Sequence, residues 1–162
     1  MHIFPKGLGH IKVIKKDTIG FSRLSHFAVK NTDGLVIYKF KAKSIYGYCK
    51  NNECYRFYED PKSWKINDGY HTIEDTSCLF IYSRRTSNGR YGSTLRYYYS
   101  LSANDKLRPL TLDNLEIDFK SNLKIVEKLR NDTILKKNIS KRNKDGTFRI
   151  NKVIAECLPI DR

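Results

Sequence analysis

The fold is decided first by residues 36–43, which read Val36-Ile37-Tyr38-Lys39-Phe40-Lys41-Ala42-Lys43. Along most of this stretch, apolar side chains alternate with lysines. Successive side chains of a β-strand point to opposite faces of the sheet, so the alternation predicts a strand with one buried and one solvated face. Such strands are typical of antiparallel sheets.

Segments rich in Tyr, Phe, Ile and Val predict further strands on both sides of this one. They cover residues 10–15, 19–24, 26–30, 45–49, 54–58, 79–84 and 94–100. Turn signals such as Asn51-Asn52 and Asn88-Gly89 separate them at short intervals, and residues 60–67 predict a long loop. Short strands joined by turns predict an antiparallel sheet or a partly closed barrel over residues 1–105.

The hydrophobic period changes after Pro109. Thr111 can cap a short helix that places Leu112, Leu115 and Phe119 on one side. Ser121 can cap a second helix, with Leu123, Val126 and Leu129 on one face. Residues 136–146 are polar and basic and predict a loop.

The last helix has the strongest pattern. Its apolar side chains recur with the helical spacing at Ile150, Val153, Ile154, Cys157 and Leu158. Thr147 is the predicted N-cap and Pro159 the predicted stop. Residues 106–162 therefore predict two or three helices after the β-rich body, and the fold class is α+β. A chain of 162 residues is expected to form a single domain, 1–162.

The chain is strongly basic, with 31 Lys and Arg against 17 Asp and Glu. The net charge of +14 favours an anionic partner such as nucleic acid, acidic polysaccharide or a lipid surface. The densest positive stretch covers residues 120–152, with 11 basic and 3 acidic residues. A solvated helical face would have the same composition, so this alternative stays open.

The hairpin over residues 83–100 interleaves arginine with tyrosine. Arginine offers a planar fork of donors for oxyanions, and tyrosine offers a flat face for a nucleobase or a sugar. The predicted contact residues are Arg84, Arg85, Arg90, Tyr91 and Arg96. Tyr97 and Tyr99 would share one face of a strand, so buried strand tyrosines are the preferred interpretation of that part.

Cys49 and Cys54 flank the Asn51-Asn52 turn and would face each other if their strands pair. A disulfide between them is geometrically allowed and would suit an exported protein. Cys157 lies on the apolar stripe of the last helix and is expected to be a buried thiol. The cysteines lack the paired spacing of a zinc site, and no motif indicates a metal or a cofactor.

The first residues, Met1-His2-Ile3-Phe4-Pro5, lack the apolar core of a signal peptide. The expected location is the periplasm or cell envelope if a leader was removed, and otherwise the cytoplasm. No apolar run is long enough for a transmembrane helix.

Several short motifs resemble those of uncharacterised small exported proteins of Bacteroidetes. They include Lys15-Lys16-Asp17-Thr18-Ile19, Ile45-Tyr46-Gly47-Tyr48, Tyr97-Tyr98-Tyr99-Ser100 and Phe148-Arg149-Ile150-Asn151-Lys152. The resemblance covers residues 15–157. It implies a β-rich body with short C-terminal helices, an envelope location and a structural or binding role, and it transfers no catalytic residue.

These observations favour a non-enzymatic envelope protein that contacts a partner protein or an anionic glycan through a basic, Tyr-rich surface. The alternative is a cytoplasmic nucleic-acid-binding protein, in which Lys136, Lys137, Lys141, Arg142 and Lys144 would help the hairpin to hold the phosphate backbone.

A sugar-acting enzyme is the weaker alternative. Glu59-Asp60 and Glu74-Asp75 are carboxylate pairs of the kind that glycoside hydrolysis needs, but both border predicted turns.

Overall fold

The computed structural model describes residues 2–5, 11–12, 18–21, 26–30, 36–41, 45–50, 53–58, 69–87 and 92–158. The chain forms two compact units, Met1–Thr72 and Ile73–Arg162. In sequence order, antiparallel strands come first and helices follow, so the predicted α+β class is confirmed. The division between units falls earlier than the predicted change of secondary structure near residue 105, and the expectation of one domain stays a prediction.

The first unit is built from antiparallel strands. They are β1 (His2–Pro5), β2 (Ile11–Lys12), β3 (Thr18–Phe21), β4 (His26–Lys30), β5 (Val36–Lys41), β6 (Ile45–Lys50), β7 (Glu53–Tyr58) and the start of β8 (Gly69–Asp75). Neighbours pair in the order β8-β7-β6-β1-β2, and β3-β4-β5 form a separate sheet. Among the described strands, no pairing closes these ladders into a barrel.

All the predicted strands are present, with ends shifted by a few residues. The stretch at 36–43 forms β5, which ends at Lys41. Two strands that the sequence pattern did not indicate, β1 and β8, pair with β6 and β7. β8 ends in Glu74-Asp75, which resembles a turn in the sequence but is extended in the structure. The predicted loop at 60–67 lies outside the described residues.

Aromatic side chains support the register of β6, β7 and β8. The rings of Tyr48 and Tyr55 stack at 4.8 Å, and Tyr70 meets Tyr48 edge-on at 5.0 Å. Burial raises the pKa of Tyr70 to about 12. Gly47 lies opposite Arg56, and a Cβ at Gly47 would overlap the carbonyl oxygen of Tyr55, so only glycine fits there.

The second unit combines a β-meander with helices. Its elements after β8 are β9 (Phe80–Ser87), β10 (Ser93–Ser100), β11 (Arg108–Pro109), α1 (Leu112–Asp118), α2 (Leu123–Asn131), α3 (Thr133–Lys137) and α4 (Arg149–Ala155). The described part thus holds four helices where two or three were predicted. One face of β9 and β10 packs with these helices in a core of Leu79, Ile81, Tyr99, Leu110, Leu115, Ile125, Leu129, Leu135, Phe148, Ile150, Val153, Ile154 and Cys157.

The start of α1 was predicted correctly and that of α2 was not. Thr111 caps α1, and its Oγ1 accepts a hydrogen bond from Asn114 N at 3.3 Å. The cap of α2 is Asn122 rather than Ser121, because the side-chain Oδ1 of Asn122 accepts a hydrogen bond from Ile125 N at 3.2 Å. The buried face shifts accordingly, and Leu123 is 71% exposed.

The start of α4 also differs from the prediction. Thr147 does not cap the helix, since its N–H and hydroxyl donate to Asp145 instead. Phe148 occupies the N-cap position with a buried ring. Cys157 is buried as predicted, but Leu158 is 41% exposed at the end of the stripe. The first residues of the predicted loop at 136–146 belong to α3.

In the described part of the chain, no helix is long and apolar enough to cross a membrane.

Candidate anion-binding surfaces

The β9–β10 ladder separates the predicted contact arginines. Arg84 lies directly opposite Arg96, whereas Arg85 lies opposite Leu95. Because side chains alternate along a strand, Arg84 and Arg96 share one face and Arg85 is on the other. Arg90 and Tyr91 lie outside the described residues. The structure therefore brings together two of the five predicted hairpin contacts.

The tyrosines of β10 contribute to packing. Tyr99 is fully buried, and its hydroxyl donates to Asp118 Oδ2 at 2.6 Å. Burial and this carboxylate raise the pKa of Tyr99 far above its ordinary value. Tyr98 is buried, and half-buried Tyr97 meets the Phe148 ring edge-on at 5.6 Å. The described basic surface is therefore not rich in tyrosine, and the interpretation as strand tyrosines that pack inward holds.

The cations of residues 120–152 fall into two groups. Four of them form ion pairs, which are Lys128–Glu156, Arg130–Glu116, Arg142–Glu74 and Arg149–Asp132 at 2.5–2.8 Å. The other seven are lysines, all of which are exposed and without an ion pair in this fully described segment: Lys120, Lys124, Lys136, Lys137, Lys141, Lys144 and Lys152. The unpaired positive charge is carried by lysine alone.

Arg142 has a structural environment that the sequence did not reveal. Its Nη2 donates to Glu74 Oε2 at 2.5 Å, and its Nη1 donates to the Gly146 carbonyl at 2.7 Å. The guanidinium group also lies 4.1 Å from the centre of the Phe148 ring. Glu74 in turn accepts a hydrogen bond from Ser83. Arg142 therefore links the loop before α4 to β8. Lys136, Lys137 and Lys141 are exposed.

A groove of about 690 Å³ lies between α2, the start of α3 and α4. Its charged lining residues are Lys124, Glu127, Lys128, Asp132, Arg149, Lys152 and Glu156. Two ion pairs, Lys128–Glu156 and Arg149–Asp132, lie within the groove. The charged residues outside these pairs are two lysines, Lys124 and Lys152, and one carboxylate, Glu127. The sequence prediction missed Lys124 and Lys152, although the spacing of Lys124 and Lys128 places both on one side of α2.

The ion pairs in the groove are firmly charged. Burial alone would raise the pKa of Asp132, but hydrogen bonds from Leu135 N–H and Arg149 outweigh it and hold the pKa below the ordinary value. The hydrogen bond with Glu156 raises the pKa of Lys128, and the same bond lowers the pKa of Glu156. Asp132, Lys128 and Glu156 thus stay charged at neutral pH.

Of the two predicted carboxylate pairs, Glu74-Asp75 is held by hydrogen bonds within the protein. Glu74 is bound to Arg142 and Ser83, and Asp75 accepts hydrogen bonds from the N–H groups of Phe148 and Ser77. Glu59 and Asp60 lie outside the described residues. Within the described ranges, no group of three or more His, Cys, Asp or Glu is placed to hold a metal ion.

No family model, curated protein or solved structure matches the chain. The similarity to exported proteins of Bacteroidetes therefore stays a prediction.

Proposed function

We propose that the chain is a non-enzymatic protein of the cell envelope whose second unit binds an anionic glycan. The observation that carries this proposal is the set of seven exposed lysines between residues 120 and 152, none of which forms an ion pair with a described residue. An ammonium group is a compact point charge on a flexible stem, which suits carboxylate or sulfate groups repeated along a polymer. The arginines of this segment, which could supply bidentate contacts, are bound to carboxylates of the protein itself.

The groove between α2 and α4 is the proposed binding site for one sugar unit. Its volume of about 690 Å³ lies within the range of small-molecule sites. Lys124 and Lys152 would face an acidic substituent, while Asn131 and Thr133 offer groups that can hydrogen-bond sugar hydroxyls. Ile134 and Val153 provide apolar contact for a sugar ring.

The envelope location is supported by a disulfide in the first unit. Cys49 and Cys54 lie opposite each other in β6 and β7, and their sulfur atoms are bonded. Disulfides persist in oxidising compartments such as the periplasm and the cell surface. An apolar leader upstream in the genomic reading frame would add support, and a reduced pair in protein from the native host would oppose the proposal.

Nucleic acid is the alternative anionic polymer for the same lysines. The inward packing of Tyr98 and Tyr99 favours the glycan, because these tyrosines offer no exposed ring on which a nucleobase could stack.

Salt titrations of binding test the proposal. The probes are dextran sulfate and a mixed-sequence single-stranded oligonucleotide of similar charge density. We expect dextran sulfate to bind more tightly near physiological salt. The double variant Lys124→Gln/Lys152→Gln should reduce the magnitude of the slope of log K against log salt by roughly one to two. Each lysine that no longer contacts the polymer reduces the number of counterions released on binding by about one.

The control variant is Lys106→Gln, which removes an exposed lysine outside residues 120–152. It should leave both the affinity and the slope nearly unchanged. If Lys106→Gln weakens binding as much as Lys124→Gln/Lys152→Gln does, the attraction is diffuse and the groove is not a binding site. Tighter binding of the oligonucleotide, lost in the same double variant, would replace the glycan by nucleic acid.

A further inference from the structure

Two arginines lie opposite each other in the β9–β10 ladder. Arg84 and Arg96 are directly opposite in the register, so their Cβ atoms are about 5 Å apart and their side chains leave the same face. Like charges in this arrangement destabilise a sheet. None of the eight residues on this face of the two strands is acidic: they are Phe80, Tyr82, Arg84, Thr86, Thr94, Arg96, Tyr98 and Ser100.

Arg84 also has an unsatisfied donor. Its Nη1 atom is buried and has no hydrogen-bond partner in the described part of the chain. A buried donor without a partner costs free energy, because it has lost its hydrogen bonds to water. Arg142 is the opposite case, since both of its terminal nitrogens have partners within the protein.

In the described part of the chain, no hydrogen bond joins Arg84 or Arg96 to a neighbouring side chain on this face. Thr86 Oγ1 donates to the carbonyl of Thr94 at 3.2 Å. On the other side, the hydroxyls of Tyr82 and Ser100 are 3.2 Å apart and hydrogen-bonded to each other. Neither Arg84 nor Arg96 forms an ion pair within the residues described here.

We propose that Arg84 and Arg96 together bind one oxyanion group, of the class of sulfate or phosphate. A tetrahedral oxyanion between the two guanidinium groups would accept the free hydrogen bond of Arg84 Nη1 and would neutralise the like-charge pair. Guanidinium groups present planar donor forks that suit this geometry. This site is separate from the lysines of residues 120–152 and does not depend on the glycan proposal.

The direct test is NMR of the arginine Nε–Hε groups in the full chain. Sodium sulfate, sodium phosphate, methyl phosphate and sodium acetate are titrated separately at constant ionic strength, balanced with sodium chloride. We expect saturable shifts of the Arg84 and Arg96 signals with sulfate and with both phosphates, and at least tenfold weaker binding of acetate. Tighter binding of methyl phosphate than of inorganic phosphate would indicate an esterified group as the source, and the reverse order a free ion.

Two variants separate this site from general salt effects. Arg85→Met removes a charge from the opposite face of the same strand and should leave the saturable sulfate response intact. Arg84→Met should abolish that response and raise the melting temperature in chloride buffer, because it removes the repulsion and the unsatisfied donor. Arg84→Lys keeps the charge without the fork and should bind sulfate at least fivefold more weakly.

A merely structural arginine would behave differently. If Arg84→Met and Arg84→Lys both lower the melting temperature in chloride, or if the Arg84 signal does not shift with sulfate or phosphate, the proposal is wrong. The double variant Lys124→Gln/Lys152→Gln should keep the sulfate response. Its loss there would assign the response to the lysine-rich segment instead.

Discussion

The side chain of Asn151 pairs with both backbone polar groups of Leu79. Asn151 Oδ1 accepts a hydrogen bond from Leu79 N at 2.9 Å, and Asn151 Nδ2 donates to the Leu79 carbonyl at 3.0 Å. The same amide nitrogen donates to Ser77 Oγ at 3.2 Å. Asn151 is only 1% exposed. Its side chain thus forms the backbone hydrogen bonds that a neighbouring strand would otherwise form with the residue just before β9.

Replacing this amide should destabilise the protein. Asn151→Leu has a similar volume but leaves the N–H and carbonyl of Leu79 buried without partners. We expect the free energy of unfolding in urea to fall by about 2–4 kcal/mol, since each orphaned group costs about 1–3 kcal/mol. The control is Asn131→Leu, which changes an exposed residue of α2 and should shift stability by less than about 0.5 kcal/mol. Unchanged hydrogen exchange at the Leu79 amide in Asn151→Leu would contradict this role.

Asp75 should make the protein sensitive to acid. Burial alone would raise the pKa of Asp75, but hydrogen bonds from the N–H groups of Phe148 and Ser77 outweigh it and the pKa is lowered. A lowered folded-state pKa stabilises the fold above the unfolded pKa of about 4, and this stability is lost as pH falls through the folded value. The free energy of unfolding should therefore decline below about pH 4.

Asp75→Asn separates this contribution from that of other carboxylates. The variant should be less stable than the wild type at pH 7 and should show a smaller decline between pH 4 and pH 2.5. Equal declines in the two proteins would mean that Asp75 is not responsible for the acid sensitivity.

Asp132 joins a helix cap to an ion pair. Its Oδ1 accepts from Ile134 N and Leu135 N at the start of α3, and its Oδ2 accepts from Arg149 Nε at 2.8 Å. Asp132→Ala removes both interactions, and we expect a loss of about 1–3 kcal/mol in unfolding free energy. Glu127→Gln is the matched control, because Glu127 lines the same groove, is exposed and forms no ion pair within the described residues. A comparable loss in both variants would refute the assignment to the cap and the pair.

The disulfide predicts a definite thiol count. Protein prepared under oxidising conditions and then denatured should show two reactive thiols, from Cys78 and Cys157. The double variant Cys49→Ser/Cys54→Ser should lose about 2 kcal/mol of unfolding free energy, because the bond closes only a short loop. Four reactive thiols in oxidised wild-type protein would contradict the bonded pair, and a Cys78→Ser variant with one thiol fewer completes the assignment.

The sequence by itself determined the features that depend on neighbours within a few residues. Alternation predicted β5, and the apolar stripe from Ile150 to Cys157 predicted α4, because both periods follow from backbone geometry. Runs rich in Tyr, Phe, Ile and Val predicted most of the other strands. Thr111 was identified as a cap because its bond to Asn114 spans three residues. These local rules were enough to establish the α+β class and the order of strands before helices.

Tertiary structure decided which charges remain available to a ligand. Arg142 and Lys141 are adjacent in sequence, but among the described residues only Arg142 is paired with a carboxylate, that of Glu74, 68 residues away along the chain. The opposition of Arg84 and Arg96 depends on strand register, and the groove with Lys124 and Lys152 depends on how α2 packs near α4. The sequence shows which residues are charged. Which of them are neutralised depends on contacts between residues far apart in the chain, and these contacts form only when the chain folds.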